Sequence, residues 1–598
     1  MPKTARTCTC TRAKIRRAAP RVPRLAIVCA ALLLWGPAAG AQPARPIGDE
    51  RLDALAQRYF TQSWQLDPID ATDDGVHDGD ARLGSFAADG YRARIELARS
   101  TLAALREIDP GTMGAEAADD AQILTSHLQS TLLDLADLET WKHRPAAYAS
   151  AASESVYQLI ALDFAPLPDR MRSVVARERE IPAMLEAART NVTTVDETTA
   201  ELARADIAGT LDFFTNVLPP ALTPVRDASL KAAFAESNAA AIAALRAYAS
   251  ALEAGPFAHP SGTFAIGDAR FAEELRLQEL EPISLATYES VGESALAKTK
   301  ADFIATAKAI DPAKSPEEVA ASLRATHPTA DALLAKAKND LQSLRAFVIA
   351  HKIVTLPPDD DVTVAPTPEF ARQTTFASMS APGPLETKAT RAYYYVTPVE
   401  AGWSDERKEQ HLSFFNDAAF PIVSAHEVMP GHYVNFALDR HEKLSLIRKL
   451  LPSPSFAEGW AHYDEQMMVD EGWGNGDPHV RLAQLQLALQ RECRYLVGLR
   501  EHTQNMSVAA GAEFFEKNAF LAAEPARREA LRGTQDPLYG YYTLGKLELL
   551  KLRADDAKIE GSHFSLEAFH DRLLAHGDPP IAIARKIVLG ADDDGKLL

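Results

Sequence analysis

The segment HEVMPGH at residues 426–432 puts two imidazoles and a carboxylate within seven residues. A zinc hydrolase needs those groups: neutral imidazoles as ligands, and a carboxylate that takes a proton from water. In the familiar HExxH arrangement the histidines are four apart, about 400° of helical turn, and both face one side. Here His426 and His432 are six apart, about 600°, which sets them on different faces of a regular helix. Pro430 and Gly431 offer a way round this. Proline disfavours the helical conformation at Met429 and interrupts the hydrogen-bond ladder, while glycine accepts unusual dihedrals. A kink there swings His432 back towards His426. The competing reading is that Pro-Gly simply ends a helix and leaves His432 an ordinary polar residue.

A second segment bears on the choice. FAEGWAHYDEQM at 456–467 places Glu458, His462 and Glu465 at i, i+4 and i+7, along one face of a helix. Helical zinc peptidases commonly take their third ligand as a Glu from a later helix. Glu458 lies 26 residues after His432, room for a helix, a turn and a second helix folded back. A solvated charged face is the alternative. Ala457, Trp460, Ala461 and Tyr463 nevertheless make this helix partly buried, and buried charges need partners.

Around this pair of segments the chain reads as helices. The stretches 52–64, 118–141, 229–254 and 331–352 carry apolar residues near a 3.6-residue period, and helices are again expected at 404–416, 454–472, 478–503, 511–521 and 538–556. Pro357–Pro398 breaks the pattern. Two β-branched and aromatic runs there, 374–382 and 391–399, predict strands, either a surface hairpin or a short sheet beside a cleft whose edge holds an extended peptide.

Residues 1–41 stand apart from the rest. They hold eight Lys and Arg, no acid, an apolar run at 25–35 and the small-x-small sequence Ala39-Gly40-Ala41. This is the layout of a secretory signal peptide cut after Ala41. The apolar run is too short to span a bilayer of about 30 Å. Removing the segment leaves 55 basic against 82 acidic residues, a net charge of −27. Such a surface repels nucleic acid and anionic lipid, and a mature chain with no membrane span is expected. Cys493 is then the one remaining cysteine, so no internal disulfide can form, which suits a bacterial periplasm.

Taken together, HEVMPGHY, EGWAHYDE, RECRYLVGLREH (491–502) and YTLGKLELLKLR (542–553) resemble the bacterial proteins grouped as domain of unknown function 885. That family usually reads HExxPGH, EGWALYxE, RxxR…DTGLH and SYKxGKxxIxxLR. The opening YFTQSWQLDPIDATDDGVHDGDARLGSF (59–86) and the strand RAYYYVTP are similar to it as well. The resemblance implies a mainly α fold, helical, two-lobed and zincin-like, with a small β-sheet beside the active-site cleft. The N-terminal helical lobe is expected at 42–355. The catalytic lobe is expected at 356–598, with strands at 374–399, metal-site helices at 414–472 and further helices to the C-terminus.

The resemblance also implies Zn²⁺ held by His426, His432 and Glu458, with Glu427 as general base. His462 stands where the family has Leu, an extra potential ligand or supporting group. Gly498 stands at the family's Asp position, while the final His survives as His502. Tyr542 and His502 are candidates to stabilise an oxyanion, and Arg494 and Tyr394 to contact substrate, although each is also a residue type that packs or pairs for structural reasons. The expected function is an exported zinc-dependent peptidase of oligopeptides. A zinc hydrolase of a non-peptide amide or ester and a catalytically silent periplasmic peptide-binding or envelope protein are the alternatives.

Overall fold

Apolar periodicity of 3.6 residues becomes helix through most of the chain. The computed structural model describes residues 46–357, 362–368, 372 and 376–598. The expected signal peptide, 1–41, and residues 374 and 375 of the first expected strand lie outside the described residues. The four long periodic stretches fall in helices Ile47–Leu66, Ala115–Leu132, Ala228–Ala254 and Leu333–Ala350. The second is shorter than its sequence pattern. After Leu132 the chain loosens into a π turn, Leu133–Leu138, and stops at Glu139 in the left-handed region (φ 48°). The third starts on a cap the sequence carries: the Asp227 side chain accepts from the Ser229 and Leu230 amides. The helices expected in the C-terminal part form at Asp405–Phe414, Pro454–Asp470, Pro478–Thr503, Val508–Ala519 and Tyr541–Glu560.

The fold is mainly helical with one small sheet. Its strands are β1 (Val362–Pro366), β2 (Ala377–Ser380) and β3 (Ala392–Val396), in the order β1-β3-β2. β3 runs parallel to β1 and antiparallel to β2, with Met379 opposite Tyr394 and Ser380 opposite Tyr393. The two expected strands are β2 and β3; β1 was not anticipated. Alternation sorts the side chains of β3. Ala392, Tyr394 and Val396 are buried in one core with Leu344 and Val348 of the helix Leu333–Ala350 and with Val428, Phe456 and Trp460. Burying a side chain of such size contributes roughly 1.5–3 kcal/mol. This core fixes the sheet against the helices that carry the site. β2 is left as an edge strand beside them. Among the described residues, no helix is long and apolar enough to cross a membrane.

Candidate metal centre

The spacing of six in HEVMPGH is accommodated by a chain reversal between two helices. Helix Phe420–Glu427, with Pro421 in its first turn, carries His426 in its last turn. The Val428 and Met429 amides both return to the Ser424 carbonyl, and the Gly431 amide donates to the Ala425 carbonyl at 2.9 Å. A new helix, His432–His441, starts at once. Only glycine fits this turn, because a Cβ on residue 431 would lie 1.8 Å from the His426 carbonyl oxygen. The reversal brings the two imidazoles together, their ring centroids 4.9 Å apart and nearly perpendicular.

Each letter of EGW has a task in the same place. Helix Pro454–Asp470 is capped by Ser453, whose hydroxyl accepts from the Phe456 amide, and has Pro454 in its first turn. Gly459 lets this helix cross Tyr541–Glu560 at close range: a Cβ there would stand 2.7 Å from Gly545 Cα. The Trp460 indole N–H donates to the Pro430 carbonyl at 3.1 Å, pinning the reversal that carries His432. Glu458 then faces both histidines. Its Oε2 is 3.5 Å from His426 Nε2 and 3.4 Å from His432 Nε2. The same Oε2 is buried and accepts no hydrogen bond. A tetrahedral zinc ion with ligands at about 2.0–2.2 Å sets neighbouring donor atoms about 3.3–3.6 Å apart. Among the described residues His426, His432 and Glu458 are the one group of such side chains that could hold a metal ion, and the donor set fits zinc. The His426 and His432 side chains are 8 % and 12 % exposed and Glu458 27 %, so the centre opens to solvent on the Glu458 side.

A second layer of charge orients these groups. His426 Nδ1–H donates to Glu465 Oε1 at 2.8 Å, so that in the neutral imidazole Nε2 carries the lone pair. Arg491 Nη2 forms an ion pair with the same oxygen at 2.8 Å, and His462 Nδ1 lies 3.3 Å from the other. His462 therefore supports Glu465 rather than joining the converging donor atoms. Burial pushes the Glu465 carboxyl up, but Arg491 and the two histidines outweigh it and hold it well below the usual range. Burial likewise opposes charging His426, yet the carboxylates of Glu458 and Glu465 raise its pKa to about 9. Glu458 is held low against its burial by His426 and His432. The centre thus favours a positive charge between these side chains.

Glu427, the residue after His426, is half-buried, with Oε2 accepting from the Met379 amide of β2 at 3.2 Å. The edge strand therefore orients the carboxylate. Other expected contacts are placed differently. Tyr394 is fully buried and shares a 3.0 Å hydrogen bond with Ser424, so it braces the His426 helix rather than reaching a substrate. The guanidinium of Arg494 is spent on Glu529 in a bidentate pair at 2.6 and 2.9 Å. His502 is buried; its Nε2–H donates to the Gly533 carbonyl and its Nδ1 accepts from the Ile266 amide. It stands eleven residues beyond Arg491 on one helix, about 16 Å along the axis. Tyr542 remains close by, its ring under Arg491 and Arg494 and its hydroxyl accepting from Arg532 at 3.3 Å. The arginine at the centre is Arg491. The sequence signal for it was the pair of arginines in RECR, of which the structure brings the first to Glu465.

These features are set in a fold with known relatives. The solved structure of "a putative lipoprotein of unknown function" from Shewanella oneidensis is similar at 25 % identity and TM-score 0.77, covering 90 % of this chain and 99 % of its own. That of "the putative lipoprotein" from Colwellia psychrerythraea shares the fold at 16 % identity and TM-score 0.71, over 90 % of this chain and 98 % of its own. No curated protein matches. The family described as "Bacterial protein of unknown function (DUF885)" matches residues 68–588, and the chain belongs to that family.

Proposed function

We propose that the protein is an exported zinc-dependent peptidase of the zincin-like kind. The observation that carries this reading is the convergence of His426 Nε2, His432 Nε2 and Glu458 Oε2, with Glu427 following His426 in the chain and its carboxylate held by the edge of β2. The three would hold the metal: two imidazoles that turn Nε2 to Glu458 and one carboxylate already ionised. Bound there, zinc supplies a Lewis acid and lowers the pKa of water towards about 7. The chain's own residues do the rest. Glu427, fixed by the Met379 amide, takes the proton of the attacking water and delivers it to the leaving nitrogen. Glu465 and Arg491 keep His426 in the tautomer that faces the centre. β2, as the sheet's edge, offers backbone groups to an extended peptide. In this reading residues 356–598 carry the chemistry and residues 42–355 form the opposite wall. Leu162 and Asp163 line one cavity with Tyr433 and Phe436, which supports that division. The signal-like layout of residues 1–41 and the lipoprotein names of the two structural relatives support a location outside the cytoplasm.

The test is Glu427→Gln, which keeps size and ligands and removes the base. Positioned bases contribute about 10²–10⁴ in rate. Zinc content and melting temperature are expected to hold while hydrolysis of a peptide library falls at least about a hundredfold. Undiminished cleavage with intact zinc would refute the mechanism.

A further inference from the structure

His502, which has no contact with the metal-centre residues, joins two walls of a separate cavity of about 260 Å³. On one side its carbonyl accepts from the Gly267 amide at 3.0 Å and its Nδ1 from the Ile266 amide at 3.4 Å. The Phe264 ring stands edge-on to the imidazole, with centroids 5.7 Å apart. On the other side Nε2–H donates to the Gly533 carbonyl at 2.8 Å. The two segments fixed in this way, 261–266 and Thr534 with Gln535, both line the cavity. The histidine that ends RECRYLVGLREH thus has a constructional task.

Two guanidiniums line this space, Arg144 and Arg270, and neither makes a side-chain hydrogen bond or an ion pair among the described residues. Arg144 is half-buried, yet none of its nitrogens is sealed from the surface, and Arg270 is exposed, so a ligand can reach both. The acid in the lining is Asp196, and its carboxylate is committed. It accepts from the Thr198 and Thr199 amides at 3.0 and 3.1 Å and from the Thr199 hydroxyl at 2.6 Å, capping the helix Glu197–Asp212. Glu274 and Asp536 feel Arg144 without pairing with it. Burial raises the pKa of both, that of Glu274 to about 7, with Arg144 pulling the other way, and neither lines the cavity. Arg270 stands in the first turn of the helix Asp268–Glu279, which begins at Gly267 with no side-chain cap. A cation there meets the unfavourable end of the helix dipole, a cost that a bound anion reverses. Asp268, in the same turn, is exposed and lies outside the lining. Ser261 and Thr263 bring hydroxyls to the cavity; Thr263 Oγ1 accepts from the Ala265 amide at 3.1 Å, which leaves its O–H to donate.

We propose that this cavity binds a phosphate group between Arg144 and Arg270, with the Ser261 and Thr263 hydroxyls donating to its remaining oxygens. Two unpaired cations call for a doubly charged partner, and phosphate carries about −1.5 to −2 near neutral pH. The planar forks of two guanidiniums match its oxygens. The space is smaller than the about 300–1,000 Å³ of pockets that enclose drug-sized ligands, so it takes the group and a few atoms beside it. Free phosphate and a small phosphate ester offer the same chemistry. The site stands or falls independently of the peptidase reading.

The experiment titrates the full mature chain with inorganic phosphate, glycerol 3-phosphate and acetate by calorimetry at constant ionic strength. A chelator is present, so that no metal ion carries the anion. At least one phosphate probe is expected to bind at least about tenfold tighter than acetate. It should also raise the melting temperature where sodium chloride of the same ionic strength does not. Arg270→Gln, at an exposed position, should weaken that binding at least about tenfold and leave the melting temperature in phosphate-free buffer unchanged. Arg144→Gln/Arg270→Gln should abolish it; if the double variant does not fold, Arg270→Gln alone decides. Tighter binding of glycerol 3-phosphate identifies an ester as the ligand, and tighter binding of inorganic phosphate identifies the free ion. No uptake of either phosphate, acetate bound as tightly, or an affinity unchanged in Arg270→Gln would overturn the proposal.

Discussion

In the proposed reading a proton and a zinc ion compete for the same place between His426 and Glu458, and the competition can be measured. Without metal the His426 pKa rises from 6.5 to about 9, because the carboxylates of Glu458 and Glu465 outweigh the burial that works against charging it. Zinc requires the neutral imidazole, so binding must expel that proton. At pH 7 only about 1 % of His426 is neutral, which weakens apparent zinc affinity about 100-fold relative to pH above 9, at tenfold per pH unit. Stability of the zinc-free protein moves the other way. The folded pKa lies above the unfolded value, so the contribution of this group is complete below 6.5 and is lost as pH rises through about 9. Raising pH through that window should therefore lower the melting temperature of the chelated protein while tightening its grip on zinc. Calorimetry in two buffers of different ionisation enthalpy counts the protons released, and competition with a chelator gives the affinity. About one proton per zinc at pH 7 is expected from His426. No release, or an affinity flat across the window, would show that the buried carboxylates do not hold His426 as described.

Further substitutions separate the layers of the site. Glu465→Gln removes the anion that orients His426, and zinc affinity should fall about 10–100-fold in chelator competition while the chain stays folded. Gly431→Ala forces a Cβ to within 1.8 Å of the His426 carbonyl, so the reversal cannot close; zinc content should drop to background even if circular dichroism keeps its helical signal. Arg494→Ala leaves Glu529 unpaired in a largely buried pocket, and should cost about 3 kcal/mol of stability in denaturant unfolding with KM unchanged. A large rise in KM at full stability would instead return Arg494 to substrate binding.

The sequence carried the three side chains of the candidate centre but not the means of assembling them. His426, His432 and Glu458 were readable because residue type and order point to zinc chemistry even where helical spacing argues against it. What resolves the spacing is a turn packed under Trp460, a contact across thirty residues that no local pattern displays. Arg491 and Arg494 lie one turn apart on one helix, and which meets Glu465 and which meets Glu529 depends on the neighbouring helices, not on either residue. The run Tyr393–Tyr395 has no alternation to betray a face; the pleat sends Tyr394 inward and stacks the other two rings at 5.3 Å. β1 pairs in parallel with a strand some thirty residues on, a non-local match in a five-residue segment ending in proline. The helices were legible because their apolar periods are long, and their ends were not, as the π turn after Leu132 illustrates.

The crossing at Gly459 and Gly545 has a consequence for how such a protein can diverge. A methyl group added at either position meets the backbone of the other helix, and the displaced helix is the one that presents Glu458. Neither glycine can be exchanged first and compensated later by a change at its partner, since both sides of the contact already lack a side chain. The same holds at Gly431, where the obstacle is the main chain of the preceding turn. Lineages that keep the chemistry should therefore hold these three positions fixed while the helices around them drift freely. A descendant with a bulkier residue at any one of them should have lost the convergence of His426, His432 and Glu458, whatever histidines it retains.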